Sequence, residues 1–258
     1  MNKNEQGAPQ DSNFDSSIEI QVVRAYQDNY CYLISKRGSA SVACIDACET
    51  APILKALTAS GRKLGAILTT HHHHDHVGGN LELSSEFKCP VYCSSRDFNR
   101  VPGATHALPD GKHFHFEGIE IHVMSIPGHT QGQIAFYIPA ARALFVGDTV
   151  FEMGCGRLFE GSAQDMFTTI GKIKSLPPDT RIFVGHEYTE TNSRFALRVE
   201  PANAAAIERR LSDVRTQIKS AGFADAPTLS QEQTVNPFFR AKTLEEFTRL
   251  RLDRDSFK

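Results

Sequence analysis

Nothing in this chain approaches the roughly 18 consecutive apolar residues that a membrane-spanning helix needs, so none is predicted. Neither sign of charge dominates: 28 lysines and arginines stand against 30 aspartates and glutamates, a formal net charge of -2. That balance gives no global field towards nucleic acid or an anionic membrane, so recognition of an acidic ligand has to be local. Residues 1–17 hold one lysine, no arginine and no apolar run. A signal or transit peptide is therefore not expected, and the reading is a cytoplasmic protein with a polar, disordered tail over residues 1–17. Cys-x2-Cys spacing is missing, and the six cysteines (Cys31, Cys44, Cys48, Cys89, Cys93 and Cys155) are read as reduced thiols rather than as a structural zinc site. Also missing are a Gly-x-Ser-x-Gly elbow and a P-loop lysine, which weakens the covalent-hydrolase and nucleotide-phosphotransferase readings.

What is present fits an α/β protein of 258 residues and 40% hydrophobic content. Ile18 to Ala25, Tyr30 to Ile34 and Ser41 to Asp46 are rich in Val, Ile, Tyr and Cys and are separated by turn residues, the pattern of an antiparallel meander. Thr50 is expected to cap a helix that stops at Gly61. His113 to Glu117 and Ile119 to Ile126 alternate about Gly118, which predicts a hairpin. Ser162 and Asp165 predict a capping box for a helix presenting Met166, Ile170 and Ile173 on one face. Helices are also predicted over Ala204 to Ser220, ending at Gly222, and over Thr243 to Leu252. The change of character near residue 190 sets the expected domains: residues 18–190 catalytic, residues 191–258 a small helical unit.

Five of the eleven histidines crowd into Thr70-His71-His72-His73-His74-Asp75-His76, directly after an apolar strand. Three later apolar strands lead to Gly128-His129, Gly147-Asp148 and Gly185-His186. Ligands collect beyond the carboxyl ends of strands in α/β sheets, so four such ends are expected to converge on one crevice. Five histidines with two aspartates suffice for two divalent ions if one carboxylate bridges, and zinc, iron and manganese all suit the donor set. His72 and His74 are read as supporting or surface residues. His106, His113, His115 and His122 are read as solvent-facing.

The order His-x-His-x-Asp-His, then His129, Asp148 and His186, resembles the metallo-β-lactamase superfamily. The resemblance implies an αββα sandwich. It assigns His71, His73 and His129 to one metal, Asp75, His76 and His186 to the other, and Asp148 to both, with Asp75 also orienting the nucleophile. Within that superfamily, Thr70 to Asn80, Gly147-Asp148-Thr149, Cys155-Gly156-Arg157-Leu158-Phe159-Glu160-Gly161, Gly185-His186-Glu187-Tyr188-Thr189, Asn236-Pro237-Phe238 and Arg251 to Asp255 look like glyoxalase II, the hydroxyacylglutathione hydrolases. This implies a monomeric thioesterase that converts S-D-lactoylglutathione to glutathione and D-lactate, with no nucleic acid or membrane partner. Arg157, Phe159, Tyr188, Arg251 and Arg254 fall on the glutathione-binding positions. Phe159 departs from the tyrosine of some members and Arg254 from the lysine of many. The rival readings are a glutathione-persulfide dioxygenase, a lactonase or β-lactamase, an RNA-processing phosphodiesterase and a non-catalytic metal-binding scaffold.

Overall fold

The computed structural model describes residues 15–257. Of the tail expected over residues 1–17, residues 1–14 therefore lie outside the described residues.

Strands β1 (Ile18–Ala25), β2 (Asn29–Lys36) and β3 (Ser41–Ile45) form the expected antiparallel meander. Helix α1 (Thr50–Ser60) then crosses to β4 (Lys63–Leu68), which runs parallel to β3. The short helix α2 (His74–Val77) and α3 (Asn80–Phe87) lead to β5 (Val91–Ser94) and β6 (His106–Leu108), completing a six-stranded sheet. Gly61 ends α1 at φ 67 as expected, but the N-cap is Glu49, and Thr50 is already inside the helix. Pro52 falls in the first helical turn with either cap, where its missing N–H costs nothing.

The second sheet is built from β7 (His113–Phe116), β8 (Ile119–Ser125), β9 (Ile134–Ile138) and β10 (Ala143–Gly147). A small ribbon, β11 (Val150–Phe151) with β12 (Gly154–Cys155), and helix α4 (Ala163–Lys174) precede its last strand, β13 (Arg181–Val184), in the order β13-β10-β9-β8-β7. Ser162 and Asp165 make the predicted capping box on α4, and Met166, Ile170 and Ile173 are buried. β8, β10 and β13 run in the same direction because β9 is antiparallel to both β8 and β10, while β13 is parallel to β10.

Strand β2 shows why the layers stack as they do. Its period of two places Tyr30, Tyr32 and Ile34 in the core between the sheets, where Tyr32 meets Phe145 and Phe183 edge-on at 5.3 and 5.2 Å. Cys31 and Leu33 point the other way, onto Ile53 and Leu57 of α1 and Leu83 of α3. With α4 against the second sheet, the layers are helix, sheet, sheet, helix, as the resemblance implied.

After His186 the chain is helical: α5 (Thr189–Val199), α6 (Ala204–Ala221), α7 (Leu229–Val235), α8 (Pro237–Arg240) and α9 (Leu244–Ser256). Phe195, Phe238 and Phe247 extend the inter-sheet core into these helices without a break. Polar contacts tie the same helices to the β11–β12 ribbon. Asn236 Nδ2 donates to the carbonyls of Phe151 and Gly154 at 3.2 and 3.0 Å, and Met153 N donates to Glu232 Oε2 at 3.0 Å.

Glu152 is ion-paired with Arg210, and the fully buried Glu232 lies close enough for the two carboxylates to repel. Burial, the largest cause, raises the Glu232 carboxyl above its ordinary range. The folded protein thus keeps a proton that the unfolded chain has lost, and stability falls as pH rises from the ordinary glutamate range (~4.3) through the raised pKa. Glu232→Gln is expected to stabilise the protein at pH 8 by on the order of 1 kcal/mol and to flatten the slope. Denaturant midpoints at pH 5 and pH 8 check this; an unchanged slope would refute the retained proton.

Candidate metal centre

The four strand ends do converge. β4 runs out into buried Thr69, Thr70 and His71; β8 leads through Pro127-Gly128 to His129; β10 leads directly to Asp148, and β13 through Gly185 to His186. Gly147 has φ 50, and a Cβ there would fall 2.4 Å from Thr70 Oγ1. Gly185 has no positive φ, and its requirement is close approach: a Cβ would lie 2.3 Å from Asp148 Oδ1.

Two groups of donors share Asp148. His73 Nδ1 is 3.1 Å from His71 Nε2 and 3.0 Å from His129 Nε2, which is itself 3.6 Å from Asp148 Oδ2. On the other side His76 Nε2 lies 3.2 Å from Asp148 Oδ1 and 3.6 Å from Asp75 Oδ2, and His186 Nε2 lies 3.2 Å from Asp75 Oδ2 and 3.4 Å from Asp148 Oδ2. Nitrogens bound tetrahedrally at ~2.0–2.1 Å from zinc stand about 3.3 Å apart, so the donor separations fit an ion in each group.

The protonation pattern fits as well. His71 Nδ1–H donates to Thr70 Oγ1 at 3.0 Å, since that hydroxyl spends its own proton on Asp46, and His129 Nδ1–H donates to the Arg157 carbonyl at 2.8 Å. Both Nε2 lone pairs therefore face His73 Nδ1, where one proton could satisfy only one of them. Burial and the neighbouring imidazoles hold His71 well below its ordinary pKa and bring His73 to about 4, and burial lowers His129, so these rings are neutral. In the second group burial opposes charge, but carboxylates outweigh it. Asp148 and Asp46 hold His76 well above the usual range, and Asp148 with Asp75 takes His186 to about 10. His76 Nε2 and Asp148 Oδ1 are buried without a hydrogen-bond partner, the condition a bound cation relieves.

Four supporting residues escaped the sequence reading. Asp46 Oδ2 accepts from His76 Nδ1 at 2.9 Å, Asp28 Oδ1 from His186 Nδ1 at 2.8 Å, Thr70 orients His71, and Asn29 Nδ2 donates to Asp75 Oδ2 at 3.1 Å. Each fixes which ring nitrogen or oxygen faces the centre.

The donors open onto a cleft of about 640 Å³ whose wall includes His74, Phe159, Glu160 and Tyr188. Phe159 is 61% exposed and stands edge-on to His73 and His129 at 5.6 and 5.2 Å. Tyr188 stacks on His186 at 4.8 Å. His72 faces Asp97 at 3.1 Å, whereas His74 is exposed.

The arginines divide. Arg157 is exposed, 3.8 Å from Asp255. Arg254 Nη2 donates to Asn192 Oδ1 at 3.3 Å, and burial followed by the charge of Arg251 lowers its pKa. Arg251, expected among the glutathione contacts, is only 5% exposed, and its guanidinium is engaged by the carbonyls of Cys155 and Gly156 and by Asp255. It braces the loop that carries Arg157. The charged residues around it, Asp253, Arg254 and Asp255, give no local signal of burial beneath a distant loop.

All six cysteines are free and buried, and none joins a candidate ligand group among the described residues. No helix among the described residues is long and apolar enough to cross a membrane.

Comparison with known proteins agrees with this geometry. The family model for the Metallo-beta-lactamase superfamily matches residues 30–186, and that for the Hydroxyacylglutathione hydrolase C-terminus matches residues 187–257. A hydroxyacylglutathione hydrolase of Methylococcus capsulatus is 44% identical over 238 residues, covering 91% of each chain. Among solved structures, TTHA1623 in a di-iron-bound form aligns with TM-score 0.59 at 25% identity, over 84% of this chain and 98% of its own. BLEG-1 B3 metallo-beta-lactamase aligns with TM-score 0.67 at 21% identity, over 86% of this chain and 100% of its own, a likeness of fold. With matches spanning both the metal-bearing sandwich and the helical end, the chain belongs to the hydroxyacylglutathione hydrolase family of the metallo-β-lactamase superfamily.

Proposed function

We propose that this protein is a cytoplasmic, monomeric thioesterase that hydrolyses S-(2-hydroxyacyl)glutathione, typically S-D-lactoylglutathione, to glutathione and D-lactate. His71, His73 and His129 would hold one divalent ion and Asp75, His76 and His186 a second, with Asp148 shared. Zinc is the first choice, and iron and manganese suit the same donors. Two such ions supply hydroxide at neutral pH by lowering the pKa of water to about 7, and positive charge for the oxyanion that forms on attack.

The observation that carries the reading is a cleft lined by metal-ligand side chains, His73, Asp75, His129, Asp148 and His186. Glu160 is hydrogen-bonded by Arg100, which draws its carboxyl down to about 2, so it stays ionised. Burial pushes the Tyr188 phenol well above its ordinary value. With Glu160 ionised, a leaving group that can depart as its anion suits this wall, and a thiol, with a pKa of about 8.5, is one. Asp75, held by Asn29, faces the cleft as the acceptor that would orient the nucleophile. Phe159 and Tyr188 would flank the acyl group. Arg157 and Arg254, beside the engaged Arg251 and with Asp255 the nearby acid, leave local positive charge for the carboxylates of glutathione.

The test is turnover of S-D-lactoylglutathione by purified protein, with metal content measured on the same sample and a non-glutathione thioester as control. Glutathione-dependent hydrolysis with about two ions per chain is expected. Arg254→Ala should raise KM about tenfold with kcat little changed, the loss of one partly exposed charge-assisted contact. Inactivity at full metal loading, with oxygen consumed on glutathione persulfide, would replace the thioesterase by the dioxygenase.

A further inference from the structure

A second set of ligand-type side chains lies outside the cleft, on the hairpin of β7 and β8. His113 pairs directly with His122 across the two strands, and His115 pairs with Glu120. Alternation along β8 turns Ile119, Ile121 and Val123 into the core between the sheets, and so leaves Glu120 and His122 on the opposite face. His113, His115 and Glu120 are exposed, and His122 is partly so. Two residues from each strand thus form a square of three imidazoles and one carboxylate.

The donor atoms of three of them already converge. One nitrogen each from His113 and His122 and one Glu120 oxygen all lie within 4.8 Å of one another. Glu120 Oε1 is 3.1 Å from His122 Nε2 and 3.8 Å from His113 Nδ1. The two imidazoles are stacked with centroids 3.6 Å apart and planes only 4° from parallel. His122 Nε2 is shielded from solvent yet makes no hydrogen bond of acceptable geometry, despite its closeness to Glu120. Its ring is also backed by Tyr137, edge-on at 6.1 Å. Turning one ring out of the stack would bring both ring nitrogens and the carboxylate oxygen onto one ion, because lone pairs lying in parallel planes do not meet.

We propose that His113, Glu120 and His122 form an additional binding site for a divalent transition-metal ion, distinct from the cleft, with His115 at its rim. Imidazole donors select zinc-class ions over magnesium or calcium, which take oxygen ligands. Three side-chain ligands leave a coordination position for water or for His115. The position in the fold gives the ion a task. β7 is the last strand of its sheet, with one edge unpaired by any other described strand, and a cross-strand ion ties it to β8 where backbone pairing is one-sided.

Zinc(II) alone is the probe, added to the holoprotein whose cleft ions are already in place. Equilibrium dialysis should show one more zinc bound by the wild-type chain than by His113→Ala/His122→Ala, because the cleft donors are intact in both and cancel in the difference. Glu120→Gln, which keeps size and an acceptor oxygen, should weaken the additional site at least about tenfold, since even residues that merely orient ligands are worth 10–100-fold. All three substitutions lie on the partly or fully exposed face, and circular dichroism verifies that the variants are folded. Equal zinc uptake by the wild type and the folded double variant overturns the proposal, as does unchanged affinity in Glu120→Gln.

Discussion

Asp148→Ala is expected to remove both ions and to lower kcat/KM by at least about 10⁴-fold, because the nucleophile reverts from a hydroxide available at pH 7 to bulk water with a pKa near 16. Asp148 is within reach of both donor groups: its oxygens lie 3.2 to 3.6 Å from His76, His129 and His186. Metal content and rate should fall together in the same preparation. Asp148→Asn, which keeps the shape and removes the charge, should show most of the same loss. A variant that hydrolyses thioester normally without bound metal would overturn the assignment of the centre.

Asp46→Ala is expected to cost 10–100-fold in affinity for the ion that Asp75, His76 and His186 would hold, although Asp46 is placed behind the donors. Asp46 takes up hydrogen bonds from Thr70 N, Thr70 Oγ1 and His76 Nδ1, all buried. Truncation strands these donors and should also destabilise the fold by about 2–4 kcal/mol. The residue sits at φ 52, a conformation that asparagine tolerates better than alanine. Asp46→Asn should therefore recover much of the stability while still binding the second ion weakly, and excess zinc should restore its activity. If both variants bind metal like the wild type, His76 does not need this partner.

The seven residues proposed as metal donors could be picked out because their signal is local. His71 to His76 lie in one loop and short helix, and the other three donors each follow an apolar strand and a glycine that the backbone requires. The layers were legible for a related reason, since the period of two in β2 and the capping box of α4 are written in neighbouring residues. The supporting groups were not, because Asp46 finds His76 thirty positions away and Asp28 finds His186 at a separation of 158. A single aspartate at the end of a strand has no pattern to distinguish it. Helices α7 and α8 were missed because they are short and much of their support comes from distant contacts, and α5, as long as α1, because its buried face includes Thr189, Asn192 and Ser193 and so lacks an apolar period. Asn236, read as part of a glutathione-binding segment, is completely buried and bonds to backbone far from it in sequence. Thr228 and Gln231 do form a capping box on α7, but the helix it opens has too few residues for a period to emerge.

Arg251 and Asn236 fasten the helical end of the chain to the loop that runs on from Asp148, and this makes the two parts thermodynamic partners. Whatever binds the helical end more tightly when that loop is ordered must, by reciprocity, tighten the grip of the loop on its ions by the same factor. Grafting a helical segment from a relative would therefore change metal affinity along with substrate preference.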